Sequence, residues 1–218
     1  MNEYRDSVLT LVTRYGYERR EHAFRLSSGF ETHDYIDGKL AIATGSRLRT
    51  VGQAFLALAR DEGVAFDAVG GLTLGADPVA LAITVASDDE TLWFSVRKEA
   101  KGHGKQRLVE GAVVGEGTRV LLVDDVVTTG RSMVQALDAV EAAGAEVVLA
   151  TALVDRGEAT AVRLVERGVR YRPLLTFRDL GIEPCPDEGS VAPEDAGGEH
   201  VCRLSSHSAR VVRFGLAS

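Results

Sequence analysis

The sequence predicts an α/β chain built on a doubly wound, parallel sheet. Helical apolar stripes and strand-like runs alternate from about residue 46 to residue 176, the order that places helices on both faces of such a sheet. The segment from Arg119 to Val123 is a nearly unbroken apolar run, as expected of a strand covered on both faces. Glycine-rich or charged turns follow three of the strands, at 70–77, 97–105 and 124–132. Ligands of open α/β sheets bind at that end of the strands.

Each element has its own signal. Residues 1 to about 45 read as a helix with an apolar stripe at Val8, Leu9 and Val12, followed by short extended pieces and polar turns. A stronger helix begins near Ser46, with Leu48, Val51, Phe55 and Leu58 at spacings of three, four and three. Ala65 to Gly71 reads as a strand, and Asp77-Pro78 opens a helix with Asp77 as its N-cap. Thr91 to Val96 is a strand that leads into a basic loop. After the strand at 119–123, a helix near Gly130 to Ala143 carries Met133, Leu137 and Val140 on one face and stops at Gly144. Glu146 to Val154 is a strand, Ala159 to Arg167 a helix, and Tyr171 to Thr176 a last strand. Three of the five prolines fall between 184 and 193 among Asp, Glu, Gly and Ser, so 184–218 reads as a tail, with a weak hairpin at Val201–Leu204 and Val211–Phe214.

Composition narrows the function. Apolar residues make up 45% and charged residues 26% of 218, the balance of an ordinary globular chain. No apolar run approaches the roughly 18 residues that span a bilayer. The start, MNEYRDSVL, lacks a basic segment followed by an apolar one. The expectation is a cytoplasmic protein with no membrane partner. Cys185 and Cys202 form no CxxC pair, and His22, His33, His200 and His207 lack ligand spacing, so no protein-held metal is expected. A net charge of −7 argues against a broad nucleic-acid face. Yet 97–107 carries five Lys/Arg against one Glu, a cationic island suited to a small, highly charged anion.

The segment from Val120 through Ser132 carries the chemistry. A buried strand delivers Asp124 and Asp125 to its carboxyl end, and a turn of Val126, Val127, Thr128, Thr129, Gly130, Arg131 and Ser132 leads into a helix N-terminus. Backbone N–H groups and hydroxyls at such a terminus cradle phosphate. The two carboxylates suit sugar hydroxyls and can support positive charge on a sugar ring. Two further loops add anion-binding groups: Thr73, Leu74 and Gly75 within Gly70–Asp77, and Arg97, Lys98, Lys101 and His103 in the basic loop, where Gly102 and Gly104 give freedom to move.

Asp124-Asp125 with the turn to Ser132 resembles the 5-phosphoribosyl 1-diphosphate signature of the type I phosphoribosyltransferases. From about Phe24 to Asp179 the chain resembles the orotate branch of that family. The resemblance implies a doubly wound domain over 1–183 with a small N-terminal, base-side hood over 1–45. It also implies transfer of ribose 5-phosphate from phosphoribosyl diphosphate to orotate, giving orotidine 5′-phosphate in pyrimidine synthesis. Thr128, Arg156 (in LVDRGE) and Tyr35, in the base-side segment Phe24 to Lys39, would meet orotate. Lys101 would act on the departing diphosphate with Arg97, Lys98 and His103. Magnesium would arrive bound to substrate, and a homodimer would share the basic loop across its interface. The chain departs from the family pattern at Ser27, where many members have Lys, and at Asp34, usually apolar or aromatic. Those departures leave open a paralogue acting on another base, and a non-catalytic sensor of phosphoribosyl diphosphate is a further alternative.

Overall fold

The computed structural model describes residues 2–26, 29–87, 90–99 and 108–186. Helix α1 (Asn2–Leu11) and a π-helical turn over Val12–Gly16 lead into a two-stranded antiparallel sheet of β1 (Tyr17–Arg25) and β2 (Glu31–Ile36). This hairpin lies within the 1–45 segment expected to form the hood. A one-turn helix α2 (Gly38–Ala41) connects it to α3 (Gly45–Asp61), which Thr44 caps by accepting the Arg47 N–H. The main sheet contains β3 (Ala68–Leu72), β4 (Leu92–Val96), β5 (Val109–Gly111), β6 (Arg119–Val127), β7 (Glu146–Asp155) and β8 (Leu175–Thr176). Their spatial order is β5-β4-β3-β6-β7-β8, parallel except for the antiparallel edge strand β5. Helices α4 (Ala76–Ala86), α5 (Arg131–Ala142) and α6 (Ala159–Glu166) are its crossovers, and α7 (Phe177–Leu180) follows β8.

Alternation of side chains along the strands divides the core into two layers. Val69, Leu121, Val123, Leu149 and Leu153 pack against α1, α3 and α4 through Val8, Phe55, Leu58, Val79 and Ile83. On the opposite face Ala68, Val120, Leu122, Ala150 and Ala152 meet α5 and α6 through Met133, Leu137, Val140 and Leu164. The doubly wound, parallel reading of the sequence is therefore the observed architecture.

Several local expectations change. Strand β6 runs four residues past Val123, because β7 stays paired to it as far as Val127↔Asp155. Gly75, not Asp77, occupies the N-cap of α4. Instead, the Asp77 carboxylate accepts hydrogen bonds from the Thr73 and Ser95 hydroxyls at 2.7 and 2.9 Å. The strand expected over Tyr171–Thr176 shrinks to two residues plus one bridge from Tyr171 to Ala150, although the Arg172 and Leu174 N–H groups still donate to the Ala150 and Ala152 carbonyls of β7. Packing extends to Cys185, which is buried and donates its N–H to the Arg156 carbonyl. The hairpin expected at 201–214, and the rest of the tail from 187, lie outside the described residues.

Candidate active site

The extra length of β6 creates the site. Strand β3 pairs with β6 only from Ala68↔Val120 to Gly70↔Leu122, so the far end of β6 loses one neighbour while β7 still supports the other side. Asp124 and Asp125 sit in that overhang and are 5% and 7% exposed. They line a cleft of about 900 Å³ together with Lys39, Thr73–Gly75, Arg97, Lys98 and Ser132. One Asp124 oxygen accepts the Asp125 N–H at 2.9 Å, and one Asp125 oxygen accepts the Val126 N–H at 2.8 Å. The other Asp125 oxygen takes the Lys39 ammonium at 2.9 Å. Burial pushes the Asp124 carboxyl well above the usual range, and the adjacent Asp125 charge adds to that.

The opposite wall is the turn between β3 and α4. Thr73 and Leu74 are joined by a cis peptide, and a Cβ on Gly75 would lie 2.6 Å from an oxygen of each aspartate. Glycine there lets the backbone close onto the carboxylates. Asp77 fixes this turn by tying the Thr73 side chain to Ser95 on β4. The basic loop springs from the same region. Arg97 donates its N–H to the Leu108 carbonyl and places its guanidinium 3.4 Å from Glu110, while Gln135 on α5 holds the Lys98 carbonyl at 2.8 Å. The roots of the loop thus belong to a β4–β5 hairpin. Lys101 and His103 lie outside the described residues.

At the far side of the turn, Val127 and Thr129 are buried and Gly130 takes φ +74° at the N-cap of α5, a conformation open to glycine at little cost. Arg131 and Ser132 begin that helix. Thr128 and Arg156 follow directly on the paired ends of β6 and β7, where Arg156 donates its N–H to the Val127 carbonyl. A Cβ on Gly157 would stand 3.0 Å from the Thr128 carbonyl. Arg156 is 2% exposed. One of its terminal nitrogens donates to the Asp34 carbonyl of the hood at 2.8 Å, and its buried Nε has no hydrogen-bond partner among the described residues. The Asp34 carboxylate turns instead to the Tyr17 hydroxyl and Arg19. The Tyr35 ring does not line the cleft. It packs edge-on to Phe24, with the Arg20 guanidinium 4.1 Å from its centre. Two groups of this region had no role assigned from the sequence: Lys39, the last residue of the base-side segment, and Asp77, read as a helix cap.

Beside Arg156, buried Asp155 accepts the Tyr171 hydroxyl at 2.8 Å and the Gly157 N–H at 3.0 Å. Burial, outweighing those hydrogen bonds, raises its carboxyl to about 6. A carboxyl whose folded pKa exceeds its unfolded value of about 3.9 binds its proton more tightly in the native state. Its ionisation therefore costs stability as pH rises from about 4 to about 6, and the cost is complete above that. Asp155→Asn removes it. The stability of this variant relative to wild type should rise by about 1 kcal/mol between roughly pH 5 and pH 8, measured by urea unfolding. A difference independent of pH would contradict the titration.

Comparison with known proteins agrees with this geometry. Residues 77–165 match the phosphoribosyl transferase domain family. The orotate phosphoribosyltransferase of Mycobacterium tuberculosis (strain H37Rv) is 44% identical over 158 residues, which is 72% of this chain and 87% of that protein. That of Corynebacterium glutamicum (strain R) is 44% identical over 157 residues, covering 72% and 84%. A crystal structure of the M. tuberculosis enzyme with 5-phospho-α-D-ribosyl 1-diphosphate superposes with a TM-score of 0.68 at 38% identity, over 82% of this chain and 99% of that one. An adenine phosphoribosyltransferase from Saccharomyces cerevisiae, 19% identical with a TM-score of 0.59 over 80% of this chain and 100% of that one, shares the fold alone. With a carboxylate pair on an overhanging strand, a closely packed glycine turn and these relatives, the chain belongs to the orotate phosphoribosyltransferases of the type I phosphoribosyltransferase family.

Proposed function

We propose that this chain transfers ribose 5-phosphate from phosphoribosyl diphosphate to orotate, as a cytoplasmic, magnesium-dependent homodimer serving pyrimidine synthesis. The observation that carries the reading is the placement of Asp124 and Asp125 in a cleft with Arg97 and Lys98, one strand away from buried Arg156. That arrangement offers a sugar site between a diphosphate site and an acidic-base site.

The reaction needs no protein nucleophile. A ring nitrogen of orotate bonds to the anomeric carbon as the carbon–oxygen bond to diphosphate breaks. The electron pair leaves with diphosphate, and the nitrogen's proton passes to diphosphate or water. What remains for the protein is positioning and stabilisation of separating charge. Asp124 and Asp125 accept from the ribose hydroxyls and face the positive charge that grows on the ring. The turn from Val126 to Ser132 receives the 5-phosphate, and Thr73, Leu74 and Gly75 face the diphosphate. Arg97 and Lys98, with Lys101 and His103 further along the loop, draw off the leaving group. Arg156 and Thr128 hold the base, and Tyr35 supports the hood above it. Carboxylates opposed by cations suit a magnesium ion that arrives on the substrate and keeps its water. Such an ion would neutralise part of the diphosphate charge.

The test is consumption of orotate by the purified chain with phosphoribosyl diphosphate and magnesium. Turnover of another base in its place would support a paralogue, and sugar binding without turnover a sensor. The shared loop has its own test. Mixing Lys101→Ala with Asp125→Asn, each nearly inactive, should restore part of the activity if the loop crosses a dimer interface. No recovery would confine the site to one chain.

A further inference from the structure

We propose that Lys39 is a further positioning residue of this enzyme: it holds the Asp125 carboxylate in place for the ribose and acts through Asp125 rather than on the diphosphate. The inference rests on the phosphoribosyl-transfer reading above.

The short helix α2, which follows the N-terminal hairpin, lies against the carboxylate pair. Asp37 caps that helix by accepting the Leu40 N–H at 2.9 Å. A Cβ on Gly38 would lie 2.9 Å from the Asp125 Cβ and 3.2 Å from a Val126 methyl, so only glycine lets this backbone lie against the end of β6. Lys39 is the next residue. Its ammonium is 2.9 Å from one Asp125 oxygen, while the Val126 N–H holds the other at 2.8 Å. A carboxylate gripped at both oxygens has little freedom to rotate. Lys39 and Asp125 both line the cleft, so a ribose hydroxyl bonding to Asp125 would meet a charge already aimed.

The other cations of the cleft are occupied differently. Arg97 faces Glu110 and the Glu99 carbonyl, and Lys98 lies at the root of the basic loop. Lys39 is the cation bonded directly to the aspartate pair among the described residues. Burial alone would lower its pKa, but the hydrogen bond and charge of Asp125, with Asp37 and Asp124 behind them, raise it. The ammonium therefore stays charged. A structural role is a poor account of this contact. The lysine side chain is 52% exposed, and ion pairs with a solvated partner contribute little to folding. Removing it should leave the fold and change the site.

The experiment compares wild type with Lys39→Met, Lys39→Gln and Lys39→Arg as full-length enzymes. The Met variant is expected to raise KM for phosphoribosyl diphosphate about tenfold, the scale of one hydrogen bond to a charged group, with KM for orotate unchanged. Calorimetry should show ribose 5-phosphate bound about tenfold more weakly and inorganic diphosphate bound as in wild type. Lys39→Arg should recover most of the loss. Should Lys39→Met melt early, Lys39→Gln, which keeps a polar stem without the charge, replaces it in the same comparison. Equal weakening of diphosphate would place Lys39 on the leaving group and overturn the proposal, as would an unchanged KM for phosphoribosyl diphosphate. A wild-type chain that turns over no base would instead remove the reading beneath it.

Discussion

Asp125→Asn is expected to lower kcat/KM by about 10² to 10³, the cost of losing one preorganised charge stabiliser, while the protein melts near the wild-type temperature. The substitution is nearly isosteric, so the amide oxygen can still accept the Val126 N–H that Asp125 accepts now. Its amide nitrogen would face the Lys39 ammonium, placing two donors where a donor met a carboxylate. The ribose then loses its charged acceptor, and the positive charge growing on the ring loses a counter-charge. Stability should not fall in step. Asp124 resists ionising first because it is buried and next because Asp125 is charged, so neutralising Asp125 relieves the second cause. Steady-state kinetics beside thermal melting separates the two effects. Activity within about threefold of wild type would remove Asp125 from the mechanism, and a large loss of melting temperature would make it structural.

That aspartate pair shows how far the sequence could be read. Its place at the end of a buried strand was legible because Val120–Val123 is apolar and flanked by polar residues. The end of the strand was misjudged because the charge at Asp124 breaks the apolar run. Whether a strand continues past such a break depends on its neighbours, and here β7 continues while β3 stops. Strand order is likewise a property of pairing over distance. The antiparallel edge β5, three residues long, is too short to show any period, as are the four-residue helices α2 and α7. On the base side, Thr128 and Arg156 follow the paired ends of β6 and β7, which their places after two strands made legible. Tyr35 was legible as part of the hood, but which face of β2 its ring takes depended on register, and it lies with Arg20 and Phe24. Lys39 carried no signal beyond its place at the end of the base-side segment. It meets Asp125 across 86 residues of chain, through a helix that only the folded hood positions.

Arg156→Met should raise KM for orotate by about 10² to 10³ while leaving phosphoribosyl diphosphate binding near its wild-type strength. The guanidinium makes no ion pair among the described residues, and its buried Nε is unpartnered. The carboxylates of Asp34, whose carbonyl it holds, and of the adjacent Asp155 bond elsewhere: Asp34 to Tyr17 and Arg19, Asp155 to Tyr171 and the Gly157 N–H. A buried cation left in this state is costly until an anion arrives, and removing one partner of a buried pair costs about 3–5 kcal/mol. The carboxylate of orotate is the anion that the proposed reaction supplies. Methionine fills similar volume without the charge, so the empty protein should melt at the wild-type temperature or above it. What it should lose is the rise in melting temperature that orotate produces, since that rise follows ligand affinity. Lysine will not substitute, because a point charge on a flexible stem cannot reproduce the planar fork that also holds the Asp34 carbonyl. The decisive comparison is selectivity. If Arg156 reads the carboxylate, discrimination between orotate and uracil, which lacks it, collapses in Arg156→Met because orotate weakens and uracil does not. If both bases weaken together, Arg156 shapes the base site through the hood, and its charge is not what recognises the acid.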